Sequence, residues 1–101
     1  MTVREADRAL TRKLGATRDP SGDHIYFYLR DGESDYTIGK LSHSWSGQLD
    51  DTQIGMLARK LRLLKKEFEA FVDCGLEVAP MLELWRQRRP GPSARGTSSA
   101  G

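Results

Sequence analysis

Apolar positions recur along this chain in two rhythms. The first is helical: Val3, Ala6, Leu10 and Leu14 fall on one face of a 3.6-residue repeat. Thr2, with Glu5 three residues on, has the spacing of a capping box. Gly15 stands where a helix tends to stop in the left-handed conformation. The spacing therefore predicts a first helix from about Val3 to Leu14. A short strand is expected at Ala16 to Arg18, followed by a turn at Asp19-Pro20-Ser21-Gly22-Asp23, where proline fixes φ and glycine tolerates a positive one.

The second rhythm has a period of two and begins at His24. Ile25, Phe27 and Leu29 alternate with His24, Tyr26, Tyr28 and Arg30. The first set is wholly apolar and is expected in the core. The second is polar-tipped and is expected to meet water or a ligand. Asp31-Gly32 turns the chain into a hairpin. Tyr36 to Leu41 reads as the return strand, with its alternation broken near Gly39 in the manner of a bulge.

Helical spacing then returns. Asp50 or Asp51 is placed to cap a helix whose apolar stripe is Ile54, Leu57, Ala58 and Leu61. Gly55 inside it costs about 1 kcal/mol relative to alanine, which a close approach of helix to sheet would explain. A third helix carries Leu64, Phe68, Phe71 and Val72 on one face and stops at Gly75, with Cys74 packed late in it. Pro80 suits the first turn of a fourth helix that ends near Arg88, with Trp85 in the core. Residues 90–101 have no apolar side chain larger than alanine and are expected to be disordered. No internal repeat is visible.

This order predicts an α+β fold: a small three-stranded antiparallel sheet with helices on one face, α-β-β-β-α, plus extra C-terminal helices. Residues 1–75 form the domain, and residues 76–89 form a helical extension packed on it. The other sheet face stays open, and His24 lies on it.

Length and charge narrow the function. A chain of 101 residues holds one domain and excludes large multi-step enzymes. The net charge is +2, but Arg86, Arg88, Arg89 and Arg95 all lie beyond the last acid, Glu83. Without them, twelve cations face fourteen carboxylates, so the body is weakly acidic and the tail basic. Affinity for nucleic acid comes largely from phosphate neutralisation, and the body as a whole makes no such claim. A local run, Arg59 to Lys66, has five cations and no acid, and reads as the solvated end of one helix and start of the next. The single cysteine forms no intramolecular disulfide, which suits a reducing cytoplasm. With no signal-peptide pattern and no apolar run near the ~20 residues a membrane span needs, a soluble cytoplasmic protein is expected.

The usual catalytic motifs are missing. Ser42, Ser44 and Ser46 have no nucleophile elbow around them. His24, His43 and Cys74 lack zinc-site spacing, and there is no glycine-rich phosphate loop, so no metal or cofactor is expected. Trp45, in a loop of serines, reads as a ring folded back on the domain. What remains is the outward row. Taken alone, His24 reads as a polar residue at a strand start, and Tyr26 and Tyr28 as cross-strand packing on an exposed face.

Three short motifs change the weight of that row. Lys13-Leu14-Gly15, Gly22-Asp23-His24-Ile25-Tyr26, and His43 leading through Gln48-Leu49 to a helix with Ile54 and Leu57 resemble the HicA family, small toxins of bacterial toxin–antitoxin pairs. The resemblance covers roughly residues 3 to 72. It implies a double-stranded-RNA-binding-like fold, metal-independent endonuclease hydrolysis of mRNA, and a HicB-like antitoxin protein as partner. It places His24 at the family's catalytic histidine, Gly22 at the preceding glycine and His43 at a histidine of the following loop. Histidine suits such a reaction because it exchanges protons near neutrality. On the same face Tyr26 and Tyr28 are expected to stack on unpaired bases, and Arg30 and Lys40 to hold phosphate.

The chain departs from the family in Asp23, where serine is usual, in its acidic body, and in its added C-terminal helix. These motivate a second expectation, a non-catalytic protein-interaction or RNA-binding module on the same fold. Self-association through helix four, giving a homodimer, is a variant of it.

Overall fold

Thr2 opens the first helix as its spacing predicts. Its hydroxyl accepts from the Glu5 amide at 3.0 Å, and the Glu5 carboxylate accepts from the Thr2 amide at 2.8 Å. The computed structural model describes residues 1–89, so the expectation of a disordered tail lies outside the described residues. Helix α1 (Val3–Arg8) continues directly as a π-helical segment, Ala9–Lys13. The regular helix expected to Leu14 is thus widened in its second half. Thr11 donates its hydroxyl proton to the Asp7 carbonyl at 2.8 Å, a local bond that competes with the helical ladder. The Leu14 amide reaches back five residues to Ala9, and Ala9, Leu10 and Leu14 are all buried.

Gly15, at φ +84, releases the chain into β1 (Thr17–Asp19), β2 (His24–Asp31) and β3 (Ser34–Ser42). These form an antiparallel sheet in the order β1-β2-β3. Asp19 folds the first turn by accepting from Ser21 N and Oγ at 3.0 and 2.7 Å. The hairpin turn is Gly32-Glu33, one residue later than Asp31-Gly32, because Asp31 pairs with Ser34. Gly32, at φ +68, takes the first central position.

The bulge lies where the broken alternation puts it. Phe27 pairs with Gly39 but Tyr28 pairs with Thr37, leaving Ile38 as the extra residue. The shift reverses the strand's parity, so Tyr36 and Ile38 before it and Leu41 after it are all buried. Gly39, beside the extra residue Ile38, is needed for packing. A Cβ there would stand 3.0 Å from Leu10 Cδ1 and 3.2 Å from Phe27 Cδ1.

Helix α2 (Asp51–Lys60) is capped by Asp50, which accepts from Gln53 N at 2.8 Å. Gly55 answers no close approach: a Cβ on it would meet nothing within 4 Å. In α3 (Lys65–Val72), Phe68 and Phe71 are fully buried, but Leu64 is 57 % exposed. Leu64 is the cap residue, with extended backbone, so its side chain leaves the helical stripe that the spacing assigns it. At the other end Cys74, not Gly75, takes the left-handed position, at φ +70. The thiol is exposed and 3.3 Å from Lys13 Nζ, which corrects the expectation of a packed cysteine.

Helix α4 (Val78–Arg88) buries Met81 and Trp85 in the core shared by the sheet and the other helices. Trp85 meets Tyr36 edge-on, with ring centres 5.2 Å apart. Arg86 and Arg89 pair with Asp31, and Arg88 pairs with Glu67 at 2.8 Å. Three of the arginines assigned to a basic tail are therefore bound back to the acidic body. The α+β architecture with one open sheet face is the one the pattern predicts. Among the described residues no helix is long and apolar enough to cross a membrane.

Candidate nucleic-acid interface

The strand parity holds on β2. Ile25 and Phe27 are buried, while His24, Tyr26 and Tyr28 stand half-buried on the opposite face. Their rings make a continuous row. His24 meets Tyr26 edge-on at 6.2 Å between centres, and Tyr26 and Tyr28 are also 6.2 Å apart, with their planes only 24° from parallel. Cross-strand pairing places Lys40 opposite Tyr26, its ammonium 5.9 Å from the ring centre. Among the described residues Lys40 has no carboxylate partner. Its charge is thus available to an anion lying along the row.

Arg30 is placed differently. It sits at the far end of β2, about 20 Å from His24 at roughly 3.3 Å per strand residue. Its guanidinium is 3.5 Å from the Asp35 carboxylate, its cross-strand neighbour. The structure therefore brings Lys40 to the ring row and sets Arg30 apart, already engaged.

His43 follows Ser42, the cross-strand partner of His24, so both histidines mark the same end of the sheet. His43 is exposed, and its Nε2 lies 3.1 Å from the carbonyl oxygen of Gly22. A carbonyl only accepts, so this bond requires the proton on Nε2 and leaves Nδ1 as the open ring position. Gly22 is itself exposed, with open space about its Cα. The carboxylates here are Asp23, exposed just ahead of β2, and Asp19, register partner of Tyr26.

Chemically the face offers two imidazoles, two phenol rings in a row and one ammonium. That set can stack on bases, neutralise a phosphate and donate or accept hydrogen bonds through the imidazoles. Among the described residues no group of three His, Cys, Asp or Glu side chains is arranged to hold a metal ion.

A second cationic feature escapes the reading of apolar rhythm. Arg4, Arg8 and Arg12 line one groove together with Trp45, whose ring is half-buried against the core. The signal for it is their four-residue spacing, which puts successive side chains on one helical face. Comparisons with family models, curated proteins and solved structures find no match to this chain.

Proposed function

We propose that the open sheet face binds single-stranded RNA and that His24 cleaves it without a metal, as a HicA-like toxin of a toxin–antitoxin pair. The observation that carries this is the uninterrupted row His24–Tyr26–Tyr28 on the face opposite the core. Bases stack on such rings at about 1–3 kcal/mol each. The edge of the row then holds a titratable base beside the backbone of the bound strand. His24 takes the proton of a 2′-hydroxyl, and that oxygen attacks the adjacent phosphorus. The bond to the 5′-oxygen breaks, and a protonated His43 supplies the proton that oxygen needs. The products are a 2′,3′-cyclic phosphate and a 5′-hydroxyl. The order helix, three strands, helix supports the double-stranded-RNA-binding-like assignment that belongs to this reading. A HicB-like antitoxin would act by covering the ring row.

Binding without cleavage is the second reading. It is favoured by the carboxylates on and beside the face: Asp23 before His24, Asp19 opposite Tyr26, and Asp35 paired with Arg30. One experiment separates the two. Purified chain, free of any partner, is incubated with a labelled oligoribonucleotide in EDTA. The toxin reading expects cyclic-phosphate products that disappear in His24→Ala while binding persists, and growth arrest on overexpression that the same substitution relieves. Intact RNA and unimpaired growth with the wild-type chain would leave only the binding reading.

A further inference from the structure

Arg4, Arg8 and Arg12 succeed one another over about 12 Å of α1 and its continuation, at roughly 1.5 Å per residue. With Asp7, Thr11 and Trp45 they line a groove of about 480 Å³. All three arginines are exposed, and among the described residues none forms an ion pair. The groove's one carboxylate, Asp7, is committed to Arg18 at 2.9 Å. Three guanidinium groups thus share a surface on which, among the described residues, no carboxylate is paired with any of them, although Glu5 lies within electrostatic reach of Arg8. Such forks match phosphate oxygens in geometry as well as charge.

Trp45 adds a flat apolar surface among these cations. It is held there by its loop. The Trp45 amide donates to the Ser42 carbonyl at 3.1 Å, and the Val3 amide donates to Gly47 at 2.9 Å, strapping the loop to the start of α1. The same loop carries His43, whose ring is bonded to Gly22 at the His24 end of the sheet. The loop therefore joins the arginine groove to the histidines. A ring among cations suits a ligand with both bases and phosphates, whereas an acidic peptide would use only the cations.

We infer that this groove holds the phosphodiester backbone of a single-stranded RNA, with one base against Trp45, and feeds the strand round the loop to His24. The inference rests on the RNA reading above and gives that reading a second contact surface, with three cations where the ring row has Lys40.

The test is fluorescence anisotropy of a labelled twelve-residue oligouridylate against the full chain, titrated at several salt concentrations. Neutralising the groove in Arg4→Gln/Arg8→Gln/Arg12→Gln is expected to weaken binding and to flatten the plot of log K against log salt by about 2, at about 0.7 per phosphate contact on a single strand. Each single substitution flattens it by about 0.7, which keeps the result readable if the triple variant folds poorly. RNA is expected to quench tryptophan emission in the wild type and not in Trp45→Phe, because Trp85 is buried and serves as a constant background. Tyr26→Ala/Tyr28→Ala should weaken binding with the salt slope unchanged. If only the tyrosine variant weakens binding, the groove inference falls and the sheet reading stands. If only the arginine variants do, the inference stands and the sheet reading falls. A wild-type chain that binds polyglutamate but not the oligonucleotide overturns the inference in favour of an acidic peptide, and one that binds neither overturns it outright.

Discussion

The guanidinium of Arg89 lies 4.2 Å from the centre of the Tyr36 ring while it pairs with the Asp31 carboxylate. The end of α4 is thereby fixed to both strands of the hairpin. Hydrogen bonds from Arg89 and then Arg86 hold the Asp31 carboxyl below its ordinary value of 3.8. Arg88, with help from the Leu64 amide, holds Glu67 below 4.5. A carboxyl with a lowered native pKa adds stability that is complete above its unfolded pKa and is lost as pH falls through the native one. Both pairs anchor the same helix, so acid should loosen α4 first. The expected outcome is that Asp31→Asn has a lower Tm than the wild type at pH 6 and that the two converge as pH falls below 3.8 through the lowered native pKa of Asp31. Thermal melts followed by emission from buried Trp85 check this. A gap that stays constant with pH would remove Asp31 from the anchoring of α4.

Two glycines should respond oppositely to alanine. At Gly39 the new methyl group would press on Leu10 at 3.0 Å and on Phe27 at 3.2 Å, at the bulge that sets the parity of β3. Gly39→Ala is expected to destabilise by about 1–3 kcal/mol through overpacking. At Gly55 the methyl meets nothing within 4 Å, and the helix gains a better helix former. Gly55→Ala is expected to stabilise by up to about 1 kcal/mol. Urea denaturation with an unchanged m-value measures both. A destabilised Gly55→Ala would mean that α2 needs its glycine for a reason outside this packing.

What the sequence disclosed and what it hid divide along the range of the forces involved. The capping pairs Thr2–Glu5 and Asp50–Gln53, the alternation of β2 and the bulge at Gly39 are short-range or periodic, and all are legible. So is the outward row from His24 to Tyr28, since strand parity alone sets it. The pairing of Arg86 and Arg89 with Asp31 bridges 55 and 58 residues and leaves no local trace, so in the sequence those arginines count only as basic charge beyond the last acid. The engagement of Arg30 by Asp35 depends on the hairpin register, which became certain only with the turn at Gly32-Glu33. Leu64 and Cys74 were hidden by one-residue details of helix ends. Helical spacing extends naturally onto a cap residue, and glycine is the default choice for a left-handed position beside a cysteine that in fact occupies it.

That position supplies a third expected outcome. Cys74 holds φ +70 with a Cβ, a conformation in which side chains crowd the following carbonyl. Cys74→Gly relieves the crowding but gives up the contact with Lys13 Nζ and makes the unfolded chain more flexible. Lys13 keeps its bond to the Phe71 carbonyl and its place over the Phe71 ring, so the lost contact costs little. The net expectation is a stabilisation of about 0.5–1 kcal/mol, seen as a higher urea midpoint. A lowered midpoint would show that the Lys13–Cys74 contact outweighs the backbone term.

The two cations assigned to the sheet face should separate in RNA binding. Arg30 is 3.5 Å from Asp35 and stands at the far end of β2, so an arriving phosphate would have to displace a carboxylate. Lys40 lies 5.9 Å from the Tyr26 ring centre and has no carboxylate partner among the described residues, so a base stacked on Tyr26 brings its phosphate to an open charge. Under the proposed function, Lys40→Gln should weaken binding of a labelled oligoribonucleotide and flatten its salt dependence by about 0.7, the share of one phosphate contact on a single strand. Arg30→Gln should leave both affinity and slope nearly unchanged. Anisotropy titrations at 50 to 200 mM salt, about the range in which counterion release dominates, distinguish the two. If Arg30→Gln carries the loss and Lys40→Gln does not, the strand runs over the Asp35 end of the sheet, and His24 at the other end is left without a substrate.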